Sequence, residues 1–276
     1  DPAVTSSIVD AGFSVVASSR LEHLAAFKQS DGRAETLALR IPMLSETEEV
    51  VKYADISLNS QKRTLEALNT AACKAGKIHK VILMRDLGDL REGVISGSEL
   101  VELAQYVENK LKSLRLHGIG TNLGCYGSVL PTKSNLTLLA EDAEVIEQRI
   151  GRPLDVISGG ATSSIPLMLD KGMPAKINNL RIGTSLIFPG WLKEHYGVNI
   201  EGLSDDGFIF SAEIIEIGEK PTHPIGTLDV DYSGSHPAYE NKGIRRRALL
   251  AAGSFDFGSC EKLTPIDPGI RILGAS

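Results

Sequence analysis

The feature that most constrains this 276-residue chain is a repeating alternation of short apolar runs with amphipathic segments over its first two-thirds. Seven runs, at residues 13–16, 36–40, 54–58, 81–84, 116–120, 154–157 and 180–182, are β-rich and nearly continuously apolar. Strands that show polar residues on every second position have one wet face; these do not, so they suit parallel strands covered on both sides. Between them the helices announce their starts. Ser45-Glu46-Thr47-Glu48 has the Ser-x-x-Glu form of a capping box, and Leu65, Leu68 and Ala72 recur at helical spacing after Ser60. Segments 98–111 and 140–150 read the same way, the latter ending at Gly151 with Pro153 beyond. Repeated β/α units imply a parallel sheet with right-handed crossovers.

Seven units are one short of the eight that close a (β/α)8 barrel. The chain opens on what reads as a helix following a strand, so the expectation is a barrel whose first strand lies upstream of Asp1. An open doubly wound sheet is the rival, but it normally carries one Gly-rich phosphate turn early in the chain rather than two late. After about residue 190 the texture changes to alternating strands separated by Gly, Pro and Ser, at 209–217, 227–231 and 247–251. The expected organisation is therefore a barrel domain over 1–190 and a smaller, mostly β domain over 191–276. Both ends read as cut, the second just after the run 270–273.

Composition narrows the function classes. With 29 Lys and Arg against 35 Asp and Glu, the chain carries a formal charge of −6, which argues against a phosphate-backbone partner. No window reaches the roughly 18 apolar residues of a membrane span and no signal peptide is visible. Cys73, Cys125 and Cys260 are odd in number and widely spaced, so they read as reduced thiols of a cytoplasmic protein rather than disulfides or metal ligands. No Ser/His/Asp, His-x-x-x-His or carboxylate pair stands at informative spacing, and no metal site is expected.

Barrel sites form at the carboxyl ends of strands, with phosphate commonly held after the last two. Those positions carry Ser158-Gly159-Gly160-Ala161-Thr162-Ser163-Ser164 and Arg181-Ile182-Gly183-Thr184-Ser185. Glycine lets the backbone come close, successive N–H groups face an anion, and hydroxyls add donors. Either segment alone is ordinary loop chemistry; the pair at two adjacent strand ends points to a phosphate. The fourth run leads into Arg85-Asp86-Leu87-Gly88-Asp89-Leu90-Arg91-Glu92-Gly93 and the fifth into Thr121-Asn122-Leu123-Gly124-Cys125-Tyr126-Gly127. Arg91 stands out because a guanidinium holds a phenolate or carboxylate and stays charged at any working pH. His117 reads as a hydrogen-bonded core histidine, and Arg245 to Arg247 as a solvated edge.

These strand-end segments together resemble the ornithine racemase group, pyridoxal-phosphate-dependent amino-acid racemases of the alanine racemase-like barrel class. The resemblance is carried by residues 79–93, including Gly88-Asp89-Leu90-Arg91-Glu92-Gly93, and by 39–44, 53–57, 122–127, 157–164, 179–184, 242–248 and 272–276. It implies pyridoxal 5′-phosphate gripped through Ser158, Gly159, Thr162, Gly183 and Thr184, with Arg181 opposite the pyridine nitrogen, Arg91 near the phenolic oxygen and Asn122 lining the ring. It also implies two-base proton transfer on an amino-acid substrate, ornithine or another basic or small amino acid, in a homodimer. Tyr239 is the candidate for one base and Tyr232 the reserve.

Three departures accompany the resemblance. The Schiff-base lysine of such barrels sits on the first strand, and no lysine here holds a first-strand position, so none is assigned and it is expected upstream of Asp1. Ala161 stands where Asn is usual, and Thr184 where an acidic residue is usual. The resulting Arg-Ile-Gly-Thr is like the small pyridoxal-phosphate-binding proteins that share the barrel without a second domain, which leaves a non-catalytic cofactor carrier as the alternative.

Overall fold

A computed structural model describes residues 2–204, 207–231 and 234–274. Seven strands form one parallel sheet in sequential order, a nearly closed barrel wall: β1 (Val15–Ser18), β2 (Glu35–Ala38), β3 (Ile56–Asn59), β4 (His79–Arg85), β5 (Leu114–Thr121), β6 (Val156–Ala161) and β7 (Asn179–Arg181). Each neighbouring pair is parallel, and β1 and β7 are the two ends of the order.

The continuous apolar runs have the expected cause. One side chain in two points inward, where Leu37, Ile56, Leu58, Ile82 and Met84 form a small cluster. The alternate positions, among them Ala38, Val81, Leu83 and Ile119, face the helices and join the larger core. That outer core takes Leu65, Leu68 and Ala72 from α4 (Lys62–Lys74), which follows α1 (Pro2–Asp10), α2 (Leu21–Ser30) and α3 (Thr47–Tyr53). It also takes Leu100, Ala104 and Val107 from α5 (Gly97–Lys110), and Leu139, Ala143 and Ile146 from α6 (Lys133–Ile150). The last helix starts on a reciprocal cap between Thr132 and Asn135 and ends at Gly151, whose φ of 75° is the left-handed conformation that glycine adopts freely.

Polar groups on the outer face bond to one another in a chain. His79 is 3% exposed; its ring hydrogen-bonds the Ala54 backbone, and its Nε2 meets the Ser57 hydroxyl at 2.8 Å. Ser57 Oγ in turn accepts Asn59 Nδ2 at 2.9 Å. His117 lies in β5 at a register shift and meets Asp155 at 3.0 Å, in keeping with a hydrogen-bonded structural histidine.

The chain forms two compact units, Asp1–Asp205 and Asp206–Ser276. The first holds α7 (Ile165–Leu169) and α8 (Thr184–Ile187) and continues past residue 190 through α9 (Gly190–Tyr196), where Leu192 is fully buried. In the second unit, β8 (Ile214–Pro221) pairs antiparallel with β9 (Ile244–Leu250), followed by α10 (Ser254–Phe257). The expected strand at 227–231 is not formed. Asp231 instead closes a turn, its carboxylate accepting Ser235 N at 3.0 Å and its carbonyl accepting Gly234 N. An aspartate that captures nearby backbone N–H groups competes with the ladder a strand would need.

Candidate active site

The barrel floor beneath the last strand ends is built by what is missing from β5. Gly120 faces inward and pairs with Ser158 of β6. A Cβ on it would stand 3.1 Å from Ser158 Cβ and 3.3 Å from Arg181 Nη1. The absent side chain leaves room for the Arg181 guanidinium to cross from β7 over β6 to β5. Its Nη1 donates to Ser158 Oγ at 2.5 Å and its Nη2 to the Thr121 carbonyl at 2.6 Å, while Ser158 Oγ donates to Asn179 Oδ1 at 2.7 Å. Burial lowers the Arg181 pKa to about 10; the neighbouring Arg91 charge pulls the same way and Glu92 opposes both. The group is still a cation at neutral pH, fixed by neutral acceptors alone.

The two glycine turns meet beside it. Gly160 has a φ of 109°, and a Cβ there would stand 2.6 Å from Ser164 Oγ, so only glycine fits the bend that lets Ser164 donate back to the Gly159 carbonyl at 2.8 Å. The bend brings Thr162 Oγ1 to 3.4 Å from the backbone N of both Gly183 and Ser185. Thr162 is buried, whereas Gly183 and Thr184 are exposed to solvent. Ser158, Gly159, Thr162, Arg181, Gly183 and Thr184 thus belong to one contiguous strand-end region.

Arg91 comes from the β4 loop, which its own carboxylates shape. Asp86 Oδ1 accepts the N–H groups of Gly88 and Leu90 at 2.8 and 3.1 Å. Buried Asp89 reaches across to the β5 loop, its Oδ1 accepting Cys125 N and Val129 N at 3.2 Å each. Gly127 seals the same contact, since a Cβ on it would meet the Asp89 carbonyl at 2.6 Å. On this footing Arg91 Nε pairs with Glu92 Oε2 at 3.0 Å, and its Nη1 donates to Cys125 Sγ at 3.2 Å. Asn122 lies two residues beyond Gly120, with its Nδ2 buried and lacking a hydrogen-bond partner.

Sequence reasoning missed Gly120, Asp89 and Glu92. A glycine inside a strand looks like a weakness rather than a doorway, and a carboxylate in a charged loop looks the same whether solvated or turned inward. The candidate base Tyr239 lies in the second unit, 45% exposed, with its ring set edge-on to His223 at a centroid distance of 6.4 Å. The reserve, Tyr232, lies outside the described residues.

The donor set fits pyridoxal phosphate. A partly buried cation stands beside two hydroxyl-bearing glycine turns, and the orphaned Asn122 amide offers a donor that nothing among the described residues accepts. Among the described residues Lys80 is the one lysine in the seven strands; it sits near the start of β4 and pairs with Glu35.

Comparison with known proteins agrees with this geometry. The family described as the alanine racemase N-terminal domain matches residues 3–189. The chain is 46% identical over 261 residues to an ornithine racemase of Acetoanaerobium sticklandii, covering 94% of this chain and 72% of that protein. It is 32% identical over 276 residues to a lysine racemase of Thermotoga maritima, covering all of this chain and 76% of that protein. Among solved structures, an alanine racemase of Clostridium difficile 630 shares the fold over 95% of this chain and 65% of its own, with a TM-score of 0.63 at 18% identity. PipY of Synechococcus elongatus PCC7942, solved with PLP bound, matches 67% of this chain and 86% of its own, with a TM-score of 0.53 at 17% identity. Among the described residues no helix is long and apolar enough to cross a membrane. The chain belongs to the alanine racemase N-terminal domain family, as an ornithine racemase-like member of it.

Proposed function

We propose that the chain is the main part of a pyridoxal-phosphate-dependent amino-acid racemase acting on a basic amino acid such as ornithine or lysine. The observation that carries the reading is Arg181, a partly buried guanidinium held by Ser158 and Thr121 directly beside two glycine turns that Thr162 joins. When bound, pyridoxal phosphate supplies the electron-withdrawing system that makes the substrate α-proton removable. The residues of the chain do the rest. Ser158, Gly159, Thr162, Gly183 and Thr184 hold the anionic tail with hydroxyl and backbone donors. Arg181 would offer N–H groups to the ring nitrogen and, still cationic at neutral pH, would keep its own proton rather than transfer it there. Arg91 donates to the phenolic oxygen, and the free amide N–H of Asn122 orients the ring.

Inversion at the α-carbon needs a proton carrier on each face of a planar centre. Tyr239, contributed by the second copy of a homodimer, is the carrier for one face, taking or giving a proton through its hydroxyl. The basic-substrate class rests on the similarity to the ornithine racemase and the lysine racemase. A cytoplasmic homodimer completes the reading; light scattering on the purified protein tests the dimer.

The decisive assay is inversion of L- and D-ornithine and lysine by cofactor-loaded protein, with α-proton exchange followed in deuterated water. Loss of both inversion and exchange for every amino acid tried overturns the enzymatic reading. A non-catalytic carrier of the same barrel class would leave the second unit without a role, and Tyr239→Phe separates the two. A racemase loses turnover in at least one direction by ~100-fold, the size of a general acid–base contribution, whereas a carrier's cofactor affinity is unaffected.

A further inference from the structure

Adjacent side chains in regular structure point away from each other, so a close pair between Arg91 and Glu92 requires an irregular backbone made for it. The β4 loop supplies that backbone. Leu90 takes a left-handed φ of 58°, Gly93 a φ of 129°, and Asp86 Oδ1 pins the N–H groups of Gly88 and Leu90 between them. A Cβ at Gly93 would stand 2.6 Å from Asp86 N, so the bend depends on glycine there. The outcome is asymmetric burial: the Glu92 side chain is 15% exposed and that of Arg91 51%. A sheltered carboxylate needs a cation, and Arg91 is at hand. Glu92 Oε2 meets Arg91 Nε at 3.0 Å.

Resting on the racemase reading of this site, we infer that Glu92 is the positioning residue for Arg91. With Nε held by Glu92 and Nη1 by Cys125, the guanidinium plane of Arg91 is fixed before any ligand arrives, leaving Nη2 free to donate. Without the carboxylate only the Cys125 contact restrains Arg91, whose side chain is 51% exposed, and it swings into solvent.

The test reads Arg91 directly. In ¹⁵N-labelled protein the Arg91 Nε–H signal, assigned by its loss in Arg91→Lys, should exchange with water at least ~10-fold more slowly than that of exposed Arg20, because the sheltered Glu92 carboxylate lies 3.0 Å from Nε and screens it from solvent. Glu92→Gln should bring it to the Arg20 rate and, in the pyridoxal-phosphate-loaded enzyme, lower kcat ~10- to 100-fold through misplacement of a positioned group. KM should change less than about threefold, and Glu92→Asp, which keeps the charge, should recover part of both the slow exchange and the kcat. An Arg91 Nε–H that exchanges as fast as Arg20 in the unsubstituted chain overturns the inference, and so does a Glu92→Gln protein with unchanged exchange and unchanged kcat. The first measurement needs no variant, so a Glu92→Gln chain that fails to fold leaves the question decidable. Slow Arg91 exchange in a protein that inverts no amino acid sinks the racemase reading while leaving the Arg91–Glu92 geometry in place.

Discussion

At the scale of single residues, the site is governed by who gives way to whom. Gly120 gives way to Arg181, and Gly127 to the Asp89 backbone. Gly120→Ala should therefore cost about 1–3 kcal/mol of stability through overpacking against Ser158 and the guanidinium. It should also weaken pyridoxal-phosphate affinity more than Gly76→Ala, where a Cβ meets nothing within 4 Å although the left-handed φ adds its own strain. Urea midpoints and cofactor titration of the two variants check this, and equal cofactor affinities would refute it. The arginines, Asn122 and the two glycine turns were legible because strand register tells which residues follow a parallel strand's end, and family likeness supplied their roles. Glu92 was not legible, because its importance lies in an i, i+1 pairing created by the left-handed Leu90 beside it.

At the scale of elements, all seven barrel strands stand within a few residues of their expected runs, since burial on both faces writes an unmistakable pattern. Their ends are less readable: β6 runs on to Ala161 through the glycine pair, because backbone pairing with β7, not side chains, holds that stretch. In the second unit alternation misled at 227–231, where the turn chemistry of Asp231 prevailed over Leu228 and Val230. The link between β3 and β4 carries a pH signature. Burial lowers the pKa of His79 from 6.5 to about 4, so the unfolded chain takes up this proton first as pH falls. The stabilisation is complete above about pH 6.5 and fades toward pH 4, at ~1.4 kcal/mol per unit and about 3 kcal/mol in all. His117, also lowered by burial, adds the same sign. The carboxylates Asp55, Glu147 and Asp155 have lowered pKa values and act only at the acid end of this window or below it. Urea midpoints at pH 7.5 and 5.5 should differ, and His79→Gln should remove the larger share of the difference; an unchanged difference refutes the assignment.

At the scale of the whole molecule, burial is divided unevenly. Every core cluster lies between Val16 and Ile157, and among the described residues of the second unit none is buried. A two-stranded ribbon without a core is marginal alone. Residues 1–204 expressed without the remainder should accordingly keep a cooperative thermal transition, while 207–276 alone should show none by far-ultraviolet circular dichroism. A cooperative transition in the isolated smaller piece would contradict this. Within the larger unit, Arg181 is rooted in β7 yet bonded to a hydroxyl of β6 and a carbonyl of β5. One side chain is in effect a gauge of how three strands stand relative to one another. Sliding any of them by a single residue would take away an acceptor and leave a cation stranded, so correct alignment of the wall and a correctly aimed charge are achieved together or not at all.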